Sequence, residues 1–140
     1  MKIQGKCHCG NISFELEGPG EPSELPVRAC TCTFCVKHGG VWTSHPAGRL
    51  TARVREAALH SRYRMGTGTA EFHICARCGA VPFVTADIDS RLYAVVNVNT
   101  FEGIDPASLA RTAVSFEGES KESRLQRRKQ RWIPAVVLSN

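Results

Sequence analysis

Seven cysteines fall in three tight groups, Cys7-x-Cys9, Cys30-x-Cys32-x-x-Cys35 and Cys75-x-x-Cys78, and this spacing restricts the fold more than any other feature. An odd count cannot be consumed by internal disulfides, and close pairs of thiols suit a metal better than a disulfide framework. The first residues, Met1 to Cys7, hold no apolar stretch of the kind that precedes a secretory cleavage site. A reducing, cytoplasmic setting is the expectation that follows.

Cys7 and Cys9 are followed by Gly10, and Cys75 and Cys78 by Gly79, where the backbone must turn tightly around a bound ion. Together these pairs make a four-cysteine set joining distant parts of the chain. Zinc leads because four thiolates match its tetrahedral, redox-silent coordination, although an iron–sulfur cluster also accepts four cysteines. Zinc-finger peptides gain about 10–16 kcal/mol from the metal, as much as the stability of a whole domain, so this set reads as a structural clasp.

Cys30, Cys32 and Cys35 offer three ligands and no obvious fourth, the pattern of a catalytic zinc with a position open to water or substrate. Three thiolates leave such a zinc centre with a net charge of about −1. That weakens its pull on a carbonyl oxygen but suits the binding of an incoming thiol as thiolate, so thiol activation is expected rather than peptide hydrolysis. His38 follows at Cys35-x-x-His38 and could instead close a structural set of three cysteines and one histidine. His38 and His45 flank this cluster and are the two histidines to consider as a ligand or base. His8, His60 and His73 read as surface or packing residues, and Phe34 and Trp42 as core.

At 140 residues the chain suits one domain spanning 1–140, large enough to bury a core. Ile12, Phe14 and Leu16 alternate with polar residues, as do Leu50, Ala52 and Val54, the pattern of half-buried strands. Val81–Thr85 and Leu92–Val98 are denser β-branched runs expected to be buried on both faces. Short peripheral helices are expected at Asp105–Leu109, with proline at the first position, and at Ser120–Trp132, before Pro134. The fold class is therefore mainly β with antiparallel sheets. No apolar run approaches the ~20 residues of a membrane span.

The net charge is +5, and Lys121, Arg124, Arg127, Arg128, Lys129 and Arg131 against Glu122 account for all of it. The rest of the chain is neutral, so an interior site built around a strong phosphate field is not expected. On a helix over 120–132, Leu125, Arg128 or Lys129, and Trp132 share one stripe that could dock on the sheet. Arg124, Arg127 and Arg131 are then expected to face water, and nucleic-acid binding is not expected, since the run lacks interleaved aromatics.

The order Gly5-x-Cys7-x-Cys9-Gly10, Cys30-x-Cys32-x-x-Cys35 and Cys75-x-x-Cys78-Gly79 closely resembles the glutathione-dependent formaldehyde-activating enzyme family, which includes centromere protein V. Tyr63 and Val96-Asn97-Val98-Asn99-Thr100-Phe101 also look like family positions, so the resemblance extends over most of the chain. It implies a tent-like arrangement of folded β-sheets, with Cys7, Cys9, Cys75 and Cys78 as structural zinc ligands and Cys30, Cys32 and Cys35 as catalytic ones. It further implies a carbon–sulfur lyase, an S-(hydroxymethyl)glutathione synthase whose partners are glutathione, or a similar small thiol, and formaldehyde. The chain departs from many relatives at Thr31, where histidine is frequent, and at Ile74, where an aromatic is common. The competing expectation is a non-catalytic zinc-binding module that meets nucleic acid or an acidic protein through its basic tail.

Overall fold

A computed structural model describes all residues, 1–140. Its strands are β1 (Lys2–Lys6), β2 (Ile12–Glu17), β3 (Val27–Cys30), β4 (Val41–Thr43), β5 (Arg49–Val54) and β6 (His60–Tyr63), then β7 (Glu71–Cys75), β8 (Phe83–Ile88), β9 (Arg91–Asn97), β10 (Arg111–Val114) and β11 (Ala135–Ser139). Two helices, α1 (Thr33–His38) and α2 (Lys121–Arg131), complete the regular structure. The fold is mainly β, as the alternation of apolar residues requires.

The strands form a four-stranded sheet in the order β1-β2-β5-β11 and a seven-stranded sheet in the order β10-β3-β4-β9-β8-β7-β6. Most pairings are antiparallel, but β10 runs parallel to β3 and β11 parallel to β5, both at sheet edges. These two departures from an all-antiparallel arrangement follow from long returns of the chain, which no hairpin turn could make.

The apolar face of the small sheet, with Ile12, Phe14, Leu16, Leu50, Ala52 and Val54, packs into one buried cluster with Phe83, Ala94 and Val96 of the large sheet. On the opposite face of the large sheet Val84, Ala86, Ile88, Tyr93 and Val95 join a second cluster with Trp42, Phe72 and Trp132. Strand β9 therefore buries both of its faces, which accounts for its near-continuous run of apolar residues. The hairpin joining β8 to β9 turns at Asp89 and Ser90, whose φ values of 52° and 64° match a turn with both central residues left-handed.

Helix α2 lies against this second face. Ser120 caps it by accepting from the Ser123 amide at 3.1 Å, and its last turn carries Arg128, Lys129 and Arg131, favourably placed against the helix dipole. Leu125 and Trp132 pack into the second cluster, as their shared stripe predicts. Lys129 pairs with Asp89 in the β8–β9 turn. The segment 105–109 forms only one turn of 3-10 helix, Pro106–Ser108, because Asp105 caps the Ala107 amide and the chain then leaves for β10.

Candidate metal sites and the cavity beside them

Cys7 lies just past β1 in the small sheet and Cys75 ends β7 in the large one, so the first cysteine set joins the two sheets. Each pair sits in a tight turn. The Gly10 amide donates to the Cys7 carbonyl at 3.1 Å and the Gly79 amide to the Cys75 carbonyl at 2.8 Å. Both glycines adopt positive φ, 84° and 81°, a conformation that disfavours any residue with a Cβ. Main-chain amides of Ile12 and Cys78 point at the sulfurs of Cys7 and Cys75 at 3.3 and 3.5 Å.

The Sγ atoms of Cys7, Cys9, Cys75 and Cys78 lie within 4.8 Å of one another, and all seven cysteines are free of disulfides. Sulfur–sulfur separations of 3.8 Å for Cys7 and Cys9 and 3.5 Å for Cys9 and Cys75 approach the edge of a tetrahedron with metal–sulfur bonds of about 2.3 Å. The donor set thus fits a tetrahedral thiophilic ion. Among free thiols, burial pushes Cys7 up to about 12, while Cys78, against the opposing effect of burial, is drawn down to about 6 by hydrogen bonds from the Ala80 and Cys9 amides and from Cys75 and Cys7.

Cys30, Cys32 and Cys35 also converge within 4.8 Å, with no histidine or carboxylate joining them. Cys30 ends β3, Cys32 is the N-cap of α1, and Cys35 lies in its first turn. The Cys35 amide donates to Cys32 Sγ at 3.3 Å, so the cysteine itself supplies the cap that starts this short helix. Hydrogen bonds from Cys35 and from the Cys32 amide and thiol, with a smaller contribution from the Arg127 charge, lower Cys30 to about 5 against the opposing effect of burial. The bond to Cys30, with burial, raises Cys35. Three converging sulfurs make a donor set that fits a thiophilic cation.

The structure does not bring His38 or His45 to the three sulfurs. His38, on the last turn of α1, packs its ring 4.4 Å from that of Phe34 and 5.8 Å from Trp42, and burial lowers its pKa. His45 accepts from the Ala47 amide at 3.0 Å, in the loop before β5. His60 and His73 are packing residues: His60 Nε2 lies 2.8 Å from His73 Nδ1, and His73 stacks on Phe83 at 4.6 Å. His8 is exposed.

The three cysteines open into a cavity of about 430 Å³. Trp42, Phe72, Trp132 and Phe116 form its apolar walls, and four arginines, Arg28, Arg124, Arg127 and Arg128, reach it. The expectation that Arg124 and Arg127 face water is therefore corrected, as is the expectation of an interior free of positive field. Only Arg131 of that trio is exposed. The reason lies in Glu119, just before α2: its carboxylate takes both ends of the Arg127 fork at 3.0 and 3.1 Å and lies 3.4 Å from Arg124 Nε, turning both side chains inward. The Arg127 guanidinium rests on the Phe116 ring at 3.6 Å. Trp42, expected as core, is both buried and part of the cavity wall.

Over residues 2–118 the sequence matches the profile of the glutathione-dependent formaldehyde-activating enzyme family. A putative glutathione-dependent formaldehyde-activating enzyme from Halomonas elongata is 29% identical over 91 residues, 60% of this chain and 56% of that protein. The chain thus spans little more than half the length of this curated relative. A crystal structure of a protein from Rhodobacter sphaeroides is similar with a TM-score of 0.58 and 28% identity, over 79% of this chain and 97% of that one. The match includes all seven cysteines and stops short of α2. On that evidence the chain belongs to the glutathione-dependent formaldehyde-activating enzyme family.

Proposed function

We propose that the chain is a zinc-dependent carbon–sulfur lyase that joins a small thiol such as glutathione to formaldehyde or a related electrophile, acting as an S-(hydroxymethyl)glutathione synthase. In this reading residues 1–140 are one zinc-binding domain, with Cys7, Cys9, Cys75 and Cys78 holding a structural ion and Cys30, Cys32 and Cys35 a catalytic one. The observation that carries it is the convergence of these last three sulfurs, without a fourth protein ligand, in the lining of a cavity large enough for a small organic molecule.

A zinc ion held by Cys30, Cys32 and Cys35 would supply a Lewis acid able to lower the pKa of a substrate thiol. The protein's part is to hold the partners and exclude water. Trp42, Phe72 and Trp132 provide dry walls, and the arginines raise the positive potential around the sulfurs. In the overall reaction the sulfur–carbon bond forms as the carbonyl π bond breaks, and the proton lost by the thiol ends on the former carbonyl oxygen. No histidine lines the cavity, so the proton transfer does not use a histidine base. The competing reading, a binding module using segment 120–132 on nucleic acid, is weakened because three of the segment's arginines line the cavity and only outward-facing cations meet phosphates.

Exchange NMR on glutathione and formaldehyde tests the proposal, because adduct formation also proceeds unaided. The zinc-loaded protein is expected to raise the exchange rate well above the spontaneous one, and Cys32→Ser to return it to that level. An exchange rate unchanged by the wild-type protein would refute the proposed reaction.

A further inference from the structure

Two of the four cavity arginines have no anionic partner. Glu119 is shared by Arg124 and Arg127, whereas neither Arg28 nor Arg128 forms an ion pair with any carboxylate. Arg128 is 7% exposed; its Nη1 donates to Thr69 Oγ1 at 2.8 Å, its guanidinium lies 4.8 Å from the Trp132 ring centre, and its buried Nε has no hydrogen-bond partner. Arg28 donates through Nη2 to Ser44 Oγ at 2.6 Å and is otherwise uncommitted. A buried cation without a counter-charge and a buried donor without an acceptor are both costly, and a native fold retains them where a ligand completes them.

We propose that Arg128, with Arg28, forms a carboxylate-binding subsite that selects small organic anions for this cavity, placing the carboxylate at the arginines and the reacting end at the cysteines. A planar guanidinium offers paired donors that match a carboxylate edge to edge. About half of the cavity lining is apolar, Trp132, Val114 and Met65 among it, so the ligand is an organic anion with an apolar body rather than a bare inorganic ion. Arg128 and Trp132 come from beyond residue 118, where the family match ends, whereas Arg28 lies within it. The assignment deepens the proposed thiol chemistry by naming the charge its substrate carries, and it rests on that reading only for the identity of the reacting end.

Binding of a thiol-free probe separates the two. The chain has two tryptophans, Trp42 and Trp132, and both line the cavity, so intrinsic fluorescence reports its occupancy. Zinc-loaded protein is titrated with 3-(methylthio)propanoate, with its neutral amide, and with inorganic phosphate. The carboxylate is expected to give a saturable change at millimolar concentration or below, and the amide and phosphate to bind at least tenfold more weakly. Arg128→Met should weaken the carboxylate at least tenfold and Arg128→Lys less, while Lys121→Gln, at the exposed start of α2, should leave it unchanged. If Arg128→Met does not fold, as judged by circular dichroism, Arg28→Gln carries the same expectation. Equal binding of carboxylate and amide, tight binding of phosphate, or affinity unaltered by the folded variant would overturn the subsite. Selective carboxylate binding without any acceleration of thiol addition would instead uphold the subsite and reject only the proposed reaction.

Discussion

Ser44 donates its hydroxyl to the main-chain carbonyl of Arg131 across 2.8 Å, linking the end of β4 to the last turn of α2. The same oxygen accepts from Arg28 at 2.6 Å, so one fully buried hydroxyl fixes both the helix and a cavity arginine. Ser44→Ala removes the hydroxyl partner of both the Arg131 carbonyl and the largely buried Arg28 guanidinium. Denaturant unfolding should show a loss of about 1–3 kcal/mol, the usual cost of an unsatisfied buried group. A variant as stable as the wild type would mean that the remaining contacts of α2 hold it without this link.

Gly5, two residues before the first clasp cysteine, lies directly beneath the Phe14 ring, and a Cβ at this position would overlap that ring. Phe14 cannot retreat freely because it meets Phe101 edge to face at 6.3 Å within the buried cluster. Gly5→Ala is expected to lower stability by about 1–3 kcal/mol through overpacking. Thermal melts check this, and an unchanged melting temperature would show that β1 can shift without cost.

Loss of a clasp ligand should differ from loss of a cavity ligand. Cys7→Ser removes a sulfur that helps tie the two sheets together, whereas Cys32→Ser removes one from a loop and a six-residue helix. The melting temperature of the zinc-loaded protein should fall much further in Cys7→Ser, and elemental analysis should find the wild type with up to two zincs per chain, the one at Cys30, Cys32 and Cys35 released first by chelator. Equal destabilisation, or release in one step, would contradict the division of labour.

His73 is held neutral. Burial, followed by the repulsion of His60, Arg62 and Arg64, lowers its pKa from the usual 6.5 to about 3, while Thr85 Oγ1 lies 2.7 Å from its Nε2. Because the unfolded chain binds a proton where the folded one does not, the contribution of His73 to stability is complete above about 6.5 and is lost as pH falls toward about 3. Histidine ring signals followed by NMR should show His73 still neutral at pH 5. A midpoint above that pH would disprove the account.

The cysteine sets were legible in the sequence because ligands of one ion must recur at short, fixed spacings. Strands such as β2 and β5 were legible because one face of each is buried and the other wet. Helix α1 was not, since Thr33–His38 is too short for a helical period and its cap is a cysteine already assigned to a metal. Strand β10 escaped as well: Arg111–Val114 is mostly exposed and gains its partner β3 only by a parallel return over eighty residues of chain. The arginine-lined cavity was hidden for a different reason. A run of cations reads as a solvated face, and only Glu119 and the Phe116 ring, both outside that run, reveal that Arg124 and Arg127 turn inward.

Helix α2 and β11 follow in the chain every residue that supplies a cysteine, and β11 closes by pairing in parallel with β5, made much earlier. On the ribosome both thiol sets are therefore complete while one wall of the cavity is still unsynthesised. The sulfurs are accessible during synthesis, whereas Arg128 and Trp132, which complete the cavity wall, are among the last residues made.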